Sequence, residues 1–157
     1  MLKKYLFIFF LSMVPIIELR GAIPFAVNWE LDYWTALAVC AIGNMLPVPF
    51  IYFFARKILH WGADKKYIGK FFRFCIEKGE RGGQKLTARA GRGGLFVALM
   101  LFVGIPVPGT GAWTGTLAAS FLNMGIRSTA ASVSLGVIIA GIIMGVASTG
   151  VFSIFGI

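Results

Sequence analysis

The feature that most limits the possible folds is a run of 22 residues, 34–55, without a charged side chain. A helix needs about 20 apolar residues to cross the roughly 30 Å hydrocarbon core of a bilayer. Residues 129–148 form a second charge-free run of spanning length. Hydrophobic residues make up 58% of the chain and charged residues 13%, against about 45–50% and about 25% in soluble domains. The sequence therefore predicts an all-α integral membrane protein with a single domain.

Positive charge is concentrated between these two runs. The net charge is +9, and 11 of the 15 Lys and Arg residues lie within 56–92. Cytoplasmic loops beside membrane segments carry such an excess, so we expect residues 56–94 to form a basic cytoplasmic loop and do not expect nucleic acid as a partner. Residues 65–78 show amphipathic helical periodicity, which predicts a helix that lies either on anionic membrane lipids or against the protein. The glycine-rich GERGGQ predicts the end of that helix, and RAGRGG predicts the end of the loop.

Each predicted span follows an apolar segment that is interrupted. Residues 5–28 contain ELRGAIP, and residues 95–124 contain IPVPGTGAWTG. Irregular backbone persists at membrane depth only where it packs in protein or lines a cavity. Paired interrupted segments are typical of transporters built from inverted repeats. We therefore predict two inverted repeats, each with a re-entrant helical hairpin (5–28 and 95–124) and a transmembrane helix. The charges are also compatible with interrupted segments that span the membrane.

The interrupted segments hold the candidate binding residues. Glu18 and Arg20 are charges at membrane depth, where such residues are costly and usually functional. They are predicted either to serve a substrate and proton site or only to neutralise each other. Asn44 either joins them or makes a helix–helix hydrogen bond. Free N–H groups of a half-helix that begins near Gly111 would attract an anion, and Trp113 is either a packing anchor or a ring that stacks on substrate. The predicted site comprises Glu18, Arg20, Asn44, Pro108, Gly109, Thr110, Gly111, Trp113 and Thr114, with Arg89 and Arg92 at its entrance.

Enzyme and metal chemistry find no support in the sequence. The two cysteines lie in segments of different character, the chain has one histidine, and no metal-ligand spacing occurs. Glu18 is the only acidic residue in the interrupted segments, and no nucleophile is paired with a base. We expect no metal, no cofactor and no enzymatic reaction.

The motifs ELRGAIP (18–24) and IPVPGTGAWTG (105–115), with AIGNMLPVPF between them, resemble the prokaryotic small multi-drug export protein family over nearly the whole chain. The chain is more distantly similar to the DedA superfamily, whose members have paired re-entrant loops in inverted repeat. The DedA resemblance implies a role in moving lipids, including undecaprenyl phosphate, and in proton-dependent drug tolerance. Glu18 matches the acidic position of the first DedA loop. At the second loop, where DedA proteins carry arginines, this chain has apolar residues and glycine.

Three functions remain open on this basis. The leading hypothesis is a multi-pass transporter in a prokaryotic cell membrane that moves an amphipathic, anionic substrate such as a lipid phosphate, coupled to protons through Glu18. The alternative is a proton-coupled exporter of small amphipathic drugs. A hypothesis of another class is a membrane scaffold that transports nothing. The short chain also makes a homodimer attractive.

Overall fold

The computed structural model describes residues 1–107 and 110–155. The chain is 83% helical, with no strand among these residues, so the predicted all-α class is confirmed. The described residues form α1 (Leu2–Met13), α2 (Glu18–Asn28), α3 (Tyr33–Met45), α4 (Val48–Ala63), α5 (Gly69–Gly104), α6 (Ala112–Phe121) and α7 (Ile126–Phe155).

Two stretches of the described residues are long and apolar enough to cross a membrane. One is Tyr33–Ala63, which comprises α3 and α4, and the other is Ile126–Val151 of α7. The most apolar 18 residues of these stretches have mean hydropathies of 1.8 and 2.3, respectively. They contain the charge-free runs on which the two spans were predicted. Between α3 and α4, Pro47 has no N–H to donate, but its backbone angles stay in the right-handed helical region. The interruption therefore removes hydrogen bonds without extending the chain.

Both interrupted segments break at a residue that precedes proline. Val14 ends α1 in an extended conformation (φ −72°, ψ 129°), and Ile105 ends α5 in nearly the same one (φ −79°, ψ 118°). The residue before proline avoids helical angles because its backbone clashes with the proline ring. The expected irregular backbone at GAIP is wrong: these residues are part of α2, with Pro24 inside the helix. Pro24 removes one intrahelical hydrogen bond, whereas the break itself lies earlier, at residues 14–17.

The basic stretch is more helical than predicted. GERGGQ was expected to end the amphipathic helix, but α5 continues through it. Glycine costs about 1 kcal/mol relative to alanine inside a helix, which weakens a helix without forbidding it. Within α5 only Gly91 has non-helical angles (φ 70°, ψ 177°), in a region that glycine tolerates and other residues rarely adopt. Residues 69–90 and 92–104 are thus two helices joined at a kink.

The short helices pair into two antiparallel hairpins. Near the start of α1, the Phe7 ring lies 5.3 Å from the Trp29 ring at the end of α2. In the second hairpin, Gly115 of α6 faces Val103 and Leu99 of α5, and α6 runs back along α5. Helices of 10 and 12 residues are about 15–18 Å long, which is shorter than the hydrocarbon core. The described residues of the hairpin tips, 14–17, 105–107 and 110–111, therefore lie part of the way along the longer helices.

The two long apolar stretches run in opposite directions. At the start of α3, the Tyr33 hydroxyl donates to the Gly141 carbonyl (3.0 Å), in the second half of α7. In α4, the Tyr52 hydroxyl donates to the carbonyl of Met124, just before α7 begins. In addition α2 packs on α7, and α6 packs on α4. Each hairpin is therefore held by the long stretch of the other half as well as by its own.

The loops that leave the hairpins share one hydrogen-bond pattern. Glu30 and Asn123 both have positive φ (54° and 57°). The N–H of the next residue, Leu31 or Met124, bonds to a carbonyl five residues earlier, at 3.0 Å in both loops. This is the Schellman arrangement that ends a helix and satisfies its last carbonyls. The long helix then begins at Tyr33 in the first half and at Ile126 in the second.

Candidate functional site

The tips of the two hairpins meet at Glu18. Its carboxylate is buried (4% exposed) and accepts hydrogen bonds from the backbone N–H groups of Ala112 (3.2 Å) and Trp113 (3.1 Å). These groups belong to the first turn of α6, where no intrahelical acceptor is available. Glu18 therefore caps α6 from a position 94 residues away in the chain, and its negative charge faces the positive end of the helix dipole.

Gly111 leaves the space that the Glu18 carboxylate occupies. A Cβ atom added at Gly111 would lie 1.7 Å from Oε2 of Glu18 and 2.2 Å from its Cδ. Gly111 itself has extended backbone angles (φ −80°, ψ −171°) that any residue adopts, so glycine is needed here for space. Glu18 has a φ of 50°, which is uncommon for a residue with a side chain. The surrounding contacts therefore hold Glu18 in a specific and unfavourable backbone conformation.

Arg20 bonds to backbone carbonyls on the other side of the second break, at the end of α5. Its guanidinium donates to the carbonyls of Val103 (3.1 Å), Ile105 (3.2 Å) and Thr110 (2.8 Å), and also to that of Val107. These carbonyls lie at the end of α5 and in the loop after it, where helical donors are missing. Glu18 and Arg20 therefore satisfy the two ends of one broken segment, the carboxylate at the helix start and the guanidinium at the helix end. Both side chains bond to the backbone of the other hairpin, and among the described residues no ion pair joins one to the other.

Trp113 makes the corresponding contact in the opposite direction. Its indole N–H donates to the carbonyl of Met13 (3.2 Å), the last residue of α1. The Thr110 hydroxyl donates to the Ile105 and Val107 carbonyls (both 2.8 Å), whereas that of Thr114 bonds back to Gly111 (3.2 Å) inside its own helix. Backbone at membrane depth needs such internal partners because lipid offers none. Trp113 is thus a structural anchor of the first hairpin, a role that the sequence left open.

Asn44 lies beside the charged pair. It is buried (2% exposed) and lines a narrow gap with Glu18, Arg20 and Gly111. The gap is too small for a water molecule. Among the described residues, the side-chain oxygen of Asn44 has no hydrogen-bond donor. A buried acceptor without a donor is costly. The Glu18 and Arg20 side chains beside it are hydrogen-bonded, whereas this oxygen lacks a donor.

The remaining predicted residues divide into two groups. Pro108 and Gly109 lie outside the described residues. Arg89 and Arg92 are exposed on α5, and the structure does not bring them to the tips. Arg92 precedes the end of α5 by 12 residues, which corresponds to about 18 Å of helix.

An apolar groove that the sequence did not reveal reaches the tips from outside. Its volume is about 500 Å³, and it is bounded by α4 and by Trp113. Trp113 borders this groove and also donates its backbone N–H to Glu18, whereas Glu18 itself does not line the groove. The helical spacing of aromatic residues on α4 was a possible signal, but it equally fits a lipid-facing surface. Its lining residues are Pro49, Phe50, Ile51, Phe53, Phe54, Lys57 and Trp113.

Short broken helices, two long apolar stretches and a buried charged pair at the breaks define a helical membrane protein. The chain belongs to the family described as "Putative small multi-drug export protein", whose profile matches residues 18–143. Neither the curated proteins nor the solved structures contain a significant match. The family match begins at Glu18 and includes Glu18, Arg20 and Trp113, and its description assigns the family to export.

Proposed function

We propose that this protein exports small amphipathic compounds across a prokaryotic cell membrane in exchange for protons, without changing them chemically. The observation that carries the proposal is the position of Glu18, a buried carboxylate that caps a half-helix whose residue Trp113 also borders an apolar groove. The groove volume of about 500 Å³ lies within the range of about 300–1,000 Å³ of small-molecule sites. Its aromatic walls suit the apolar part of a substrate, and the carboxylate suits a cationic part.

The same geometry weighs against a lipid phosphate as the substrate. That hypothesis needs free N–H groups at the start of α6 and a free Arg20. In the structure the N–H groups of Ala112 and Trp113 already hold the Glu18 carboxylate, and Arg20 is bonded to backbone carbonyls. A phosphate would have to displace an internal carboxylate and leave several carbonyls unpaired, at about 1–3 kcal/mol for each buried group. A cation needs only the carboxylate.

Proton exchange follows from the role of Glu18 as a cap. When protonated, Glu18 loses the charge that attracts the α6 N-terminus and gains an O–H donor. The unpartnered oxygen of Asn44 lies in the same gap and can accept that hydrogen bond. Protonation would then move Glu18 from α6 to Asn44 and release the tip of the second hairpin. A cationic substrate and a proton would compete for one carboxylate, which is the condition for exchange.

In this proposal the two halves form an inverted repeat of re-entrant hairpins. The antiparallel long stretches, the matching breaks before Pro15 and Pro106, and the matching loops at Glu30 and Asn123 support it. Re-entrant tips that meet at partial depth place Glu18 where alternating access to the two sides is possible. Two copies of the chain would enclose a longer path across the membrane, and we retain a homodimer as part of the proposal.

The test uses purified protein in liposomes that contain a pH-sensitive dye, with tetraphenylphosphonium as an apolar, aromatic cation. We expect proton efflux to follow addition of the cation outside, and we expect Glu18→Gln to abolish both fluxes. Glu30→Gln is the matched control, because it removes an exposed carboxylate 12 residues away in the same half. Equal fluxes in wild type and Glu18→Gln would refute the proposal.

The other hypotheses predict different results from the same protein. A lipid-phosphate carrier would bind undecaprenyl phosphate saturably in native mass spectrometry and lose that binding in Arg20→Ala. A scaffold would keep its cellular role in Glu18→Gln and lose it when the basic residues within 65–78 are neutralised.

A further inference from the structure

A second cavity lies away from the tips, between α5 and the start of α7. Its volume is about 780 Å³, larger than that of the apolar groove. One wall is a stripe of α5 side chains at every fourth position: Glu80, Gln84, Ala88 and Arg92. The opposite wall is the loop between α6 and α7 together with the first turn of α7. None of these residues belongs to the Glu18–Arg20 centre.

Two arginines without partners face this cavity. Arg92 lies just after the kink of α5, Arg127 is the second residue of α7, and both line the cavity. Neither has a hydrogen bond or ion pair to any of the residues that the structure describes. By contrast, Arg20, Arg56 and Arg73 bond to protein oxygens, and Arg81 pairs with Glu77. Two uncompensated cations at one cavity repel each other, and an anion between them would remove that repulsion.

The start of α7 adds to the positive character of the cavity. The first bond within this helix runs from the Thr129 N–H to the Gly125 carbonyl (2.9 Å), so the preceding N–H groups have no helical acceptor. Gly125 and Ser128 line the cavity, and the helix dipole is positive at this end. The only acidic side chain in the lining is that of Glu80, three helical turns from Arg92. The end of the cavity that is lined by Arg92 and Arg127 is therefore its positive end.

The first part of α5, before the cavity, has the side chains of a helix that lies at the level of lipid headgroups. Tyr67 precedes it with 93% of its surface exposed, and Phe71 and Phe74 are 66% and 58% exposed. Basic side chains alternate with these rings, and Lys78 lies 5.6 Å from the centre of the Phe74 ring. Exposed aromatic rings beside lysines are typical of a helix at the surface of an anionic bilayer. A headgroup at this level can enter the cavity while its acyl chains stay in the membrane.

We propose that the cavity between α5 and α7 binds the phosphate group of an anionic membrane lipid between Arg92 and Arg127. The arginines donate hydrogen bonds to the phosphate oxygens, in the forked geometry that suits phosphate. The lipid stays bound and has a regulatory role, because it holds the amphipathic part of α5 against the start of α7. The site is independent of transport and would exist even if the chain exported nothing.

The experiment measures binding of dihexanoyl phosphatidylglycerol to the full chain by isothermal titration calorimetry in detergent. We expect one saturable site, and we expect Arg92→Gln and Arg127→Gln each to weaken binding about tenfold or more, as loss of a charge-assisted bond implies. Arg89→Gln is the matched control, since Arg89 is an exposed arginine on the same helix that does not line the cavity. It should change the affinity less than twofold. Equal losses in all three variants would indicate a diffuse basic surface and overturn the proposal.

A variant that binds the lipid more tightly cannot be explained by misfolding, so it complements the arginine variants. Glu80→Gln removes the acid from the cavity and should tighten binding two- to threefold, whereas Glu77→Gln, whose carboxylate pairs with Arg81 (3.8 Å), should not. Dihexanoyl phosphatidylcholine and inorganic phosphate are the comparison ligands. Phosphatidylcholine should bind at least fivefold more weakly because it has no net charge. If inorganic phosphate binds as tightly as phosphatidylglycerol, the site serves free phosphate and the lipid proposal fails.

Discussion

Replacing Gly111 with alanine tests the link between the two hairpin tips. The new Cβ would lie 1.7 Å from Oε2 of Glu18, and the flexible end of the glutamate side chain would move away from it. The backbone of Gly111 is extended, so alanine itself is not strained there. The whole effect should therefore come from the loss of the two hydrogen bonds to Ala112 and Trp113.

The magnitude follows from those two bonds. Loss of a helix N-cap costs about 0.5–2 kcal/mol, and each hydrogen bond to a charged group contributes about 1.5–3 kcal/mol. Because the Glu18 carboxylate is buried, it finds no water to replace them. We expect Gly111→Ala to lower the free energy of unfolding by about 3 kcal/mol, measured by reversible denaturation in mixed micelles with sodium dodecyl sulfate. Gly150→Ala, at a glycine of α7 whose added Cβ would meet nothing within 4 Å, is the control and should raise the free energy of unfolding by up to about 1 kcal/mol.

A double-mutant cycle makes the reasoning refutable. If Gly111→Ala acts only by displacing the carboxylate, it should cost little once Glu18 is already alanine. The two substitutions would then be strongly non-additive, with a coupling energy of about 2–3 kcal/mol. Additive effects would mean that Gly111 is needed for a reason other than the space that the Glu18 carboxylate occupies, and the proposed cap would lose its support.

Three further predictions concern the contacts around the tips. Arg20→Lys should lower the free energy of unfolding by about 1–3 kcal/mol, because one ammonium cannot reach the carbonyls that the planar guanidinium bonds at the end of α5; denaturation as above measures it, and an unchanged midpoint would contradict it. Gly43→Ala should cost about 1–3 kcal/mol from overpacking, since its Cβ would lie 2.6 Å from the Phe9 carbonyl oxygen. Gly136→Ala should cost a similar amount, since its Cβ would lie 2.7 Å from the Met100 carbonyl oxygen. If Gly43→Ala or Gly136→Ala leaves the free energy of unfolding unchanged, the packed helices can move apart at no cost, and the prediction is wrong. Asp32, which precedes α3, accepts hydrogen bonds from the Thr35 hydroxyl (2.6 Å) and N–H (2.8 Å), and these bonds hold its pKa below the ordinary value of 3.8. Its stabilising effect should be complete above that value and disappear as the pH falls through the lower folded pKa, so wild type and Asp32→Ala should differ at pH 6 and converge in strong acid.

The sequence allowed the helical class and the approximate location of the breaks to be predicted, because charge-free length and proline act locally. Val14 and Ile105 stop their helices for the same steric reason. Pro24 was misleading because it follows the break by nine residues and is tolerated within α2. The glycines of α5 were misleading in the opposite sense, since their helix penalty is small and only the positive φ of Gly91 interrupts the helix.

The partners within the site could not be predicted from the sequence. Glu18, Arg20 and Trp113 belong to ELRGAIP and GTGAWTG, but the bonds between these two motifs join positions 90 to 95 residues apart. Such pairings depend on how two hairpins dock, which no local pattern encodes. Gly111 was expected to begin a half-helix with free N–H groups, whereas in the structure those groups hold Glu18 and Gly111 provides space for its carboxylate.

The differences between the two halves explain why the centre contains a single carboxylate. The loops and long helices of the halves correspond at an interval of 93 residues, Glu30 with Asn123 and Tyr33 with Ile126. At the same interval Glu18 corresponds to Gly111 and Arg20 to Trp113. Arg20 and Trp113 perform the same task, since each donates to the carbonyls that end the first helix of the opposite hairpin.

Glu18 and Gly111 differ because they share one space. A side chain at 111 would overlap the carboxylate of Glu18, so a second glutamate at the equivalent position would place two negative charges in contact, and one of them would have to be neutral. Glycine removes that conflict and leaves one titratable group where the tips meet. In the proposed exchange, a chain with one such group can carry no more than one proton per substrate at this centre. A measured ratio of two protons per substrate would therefore require a second copy of Glu18, from a second chain, in the same path.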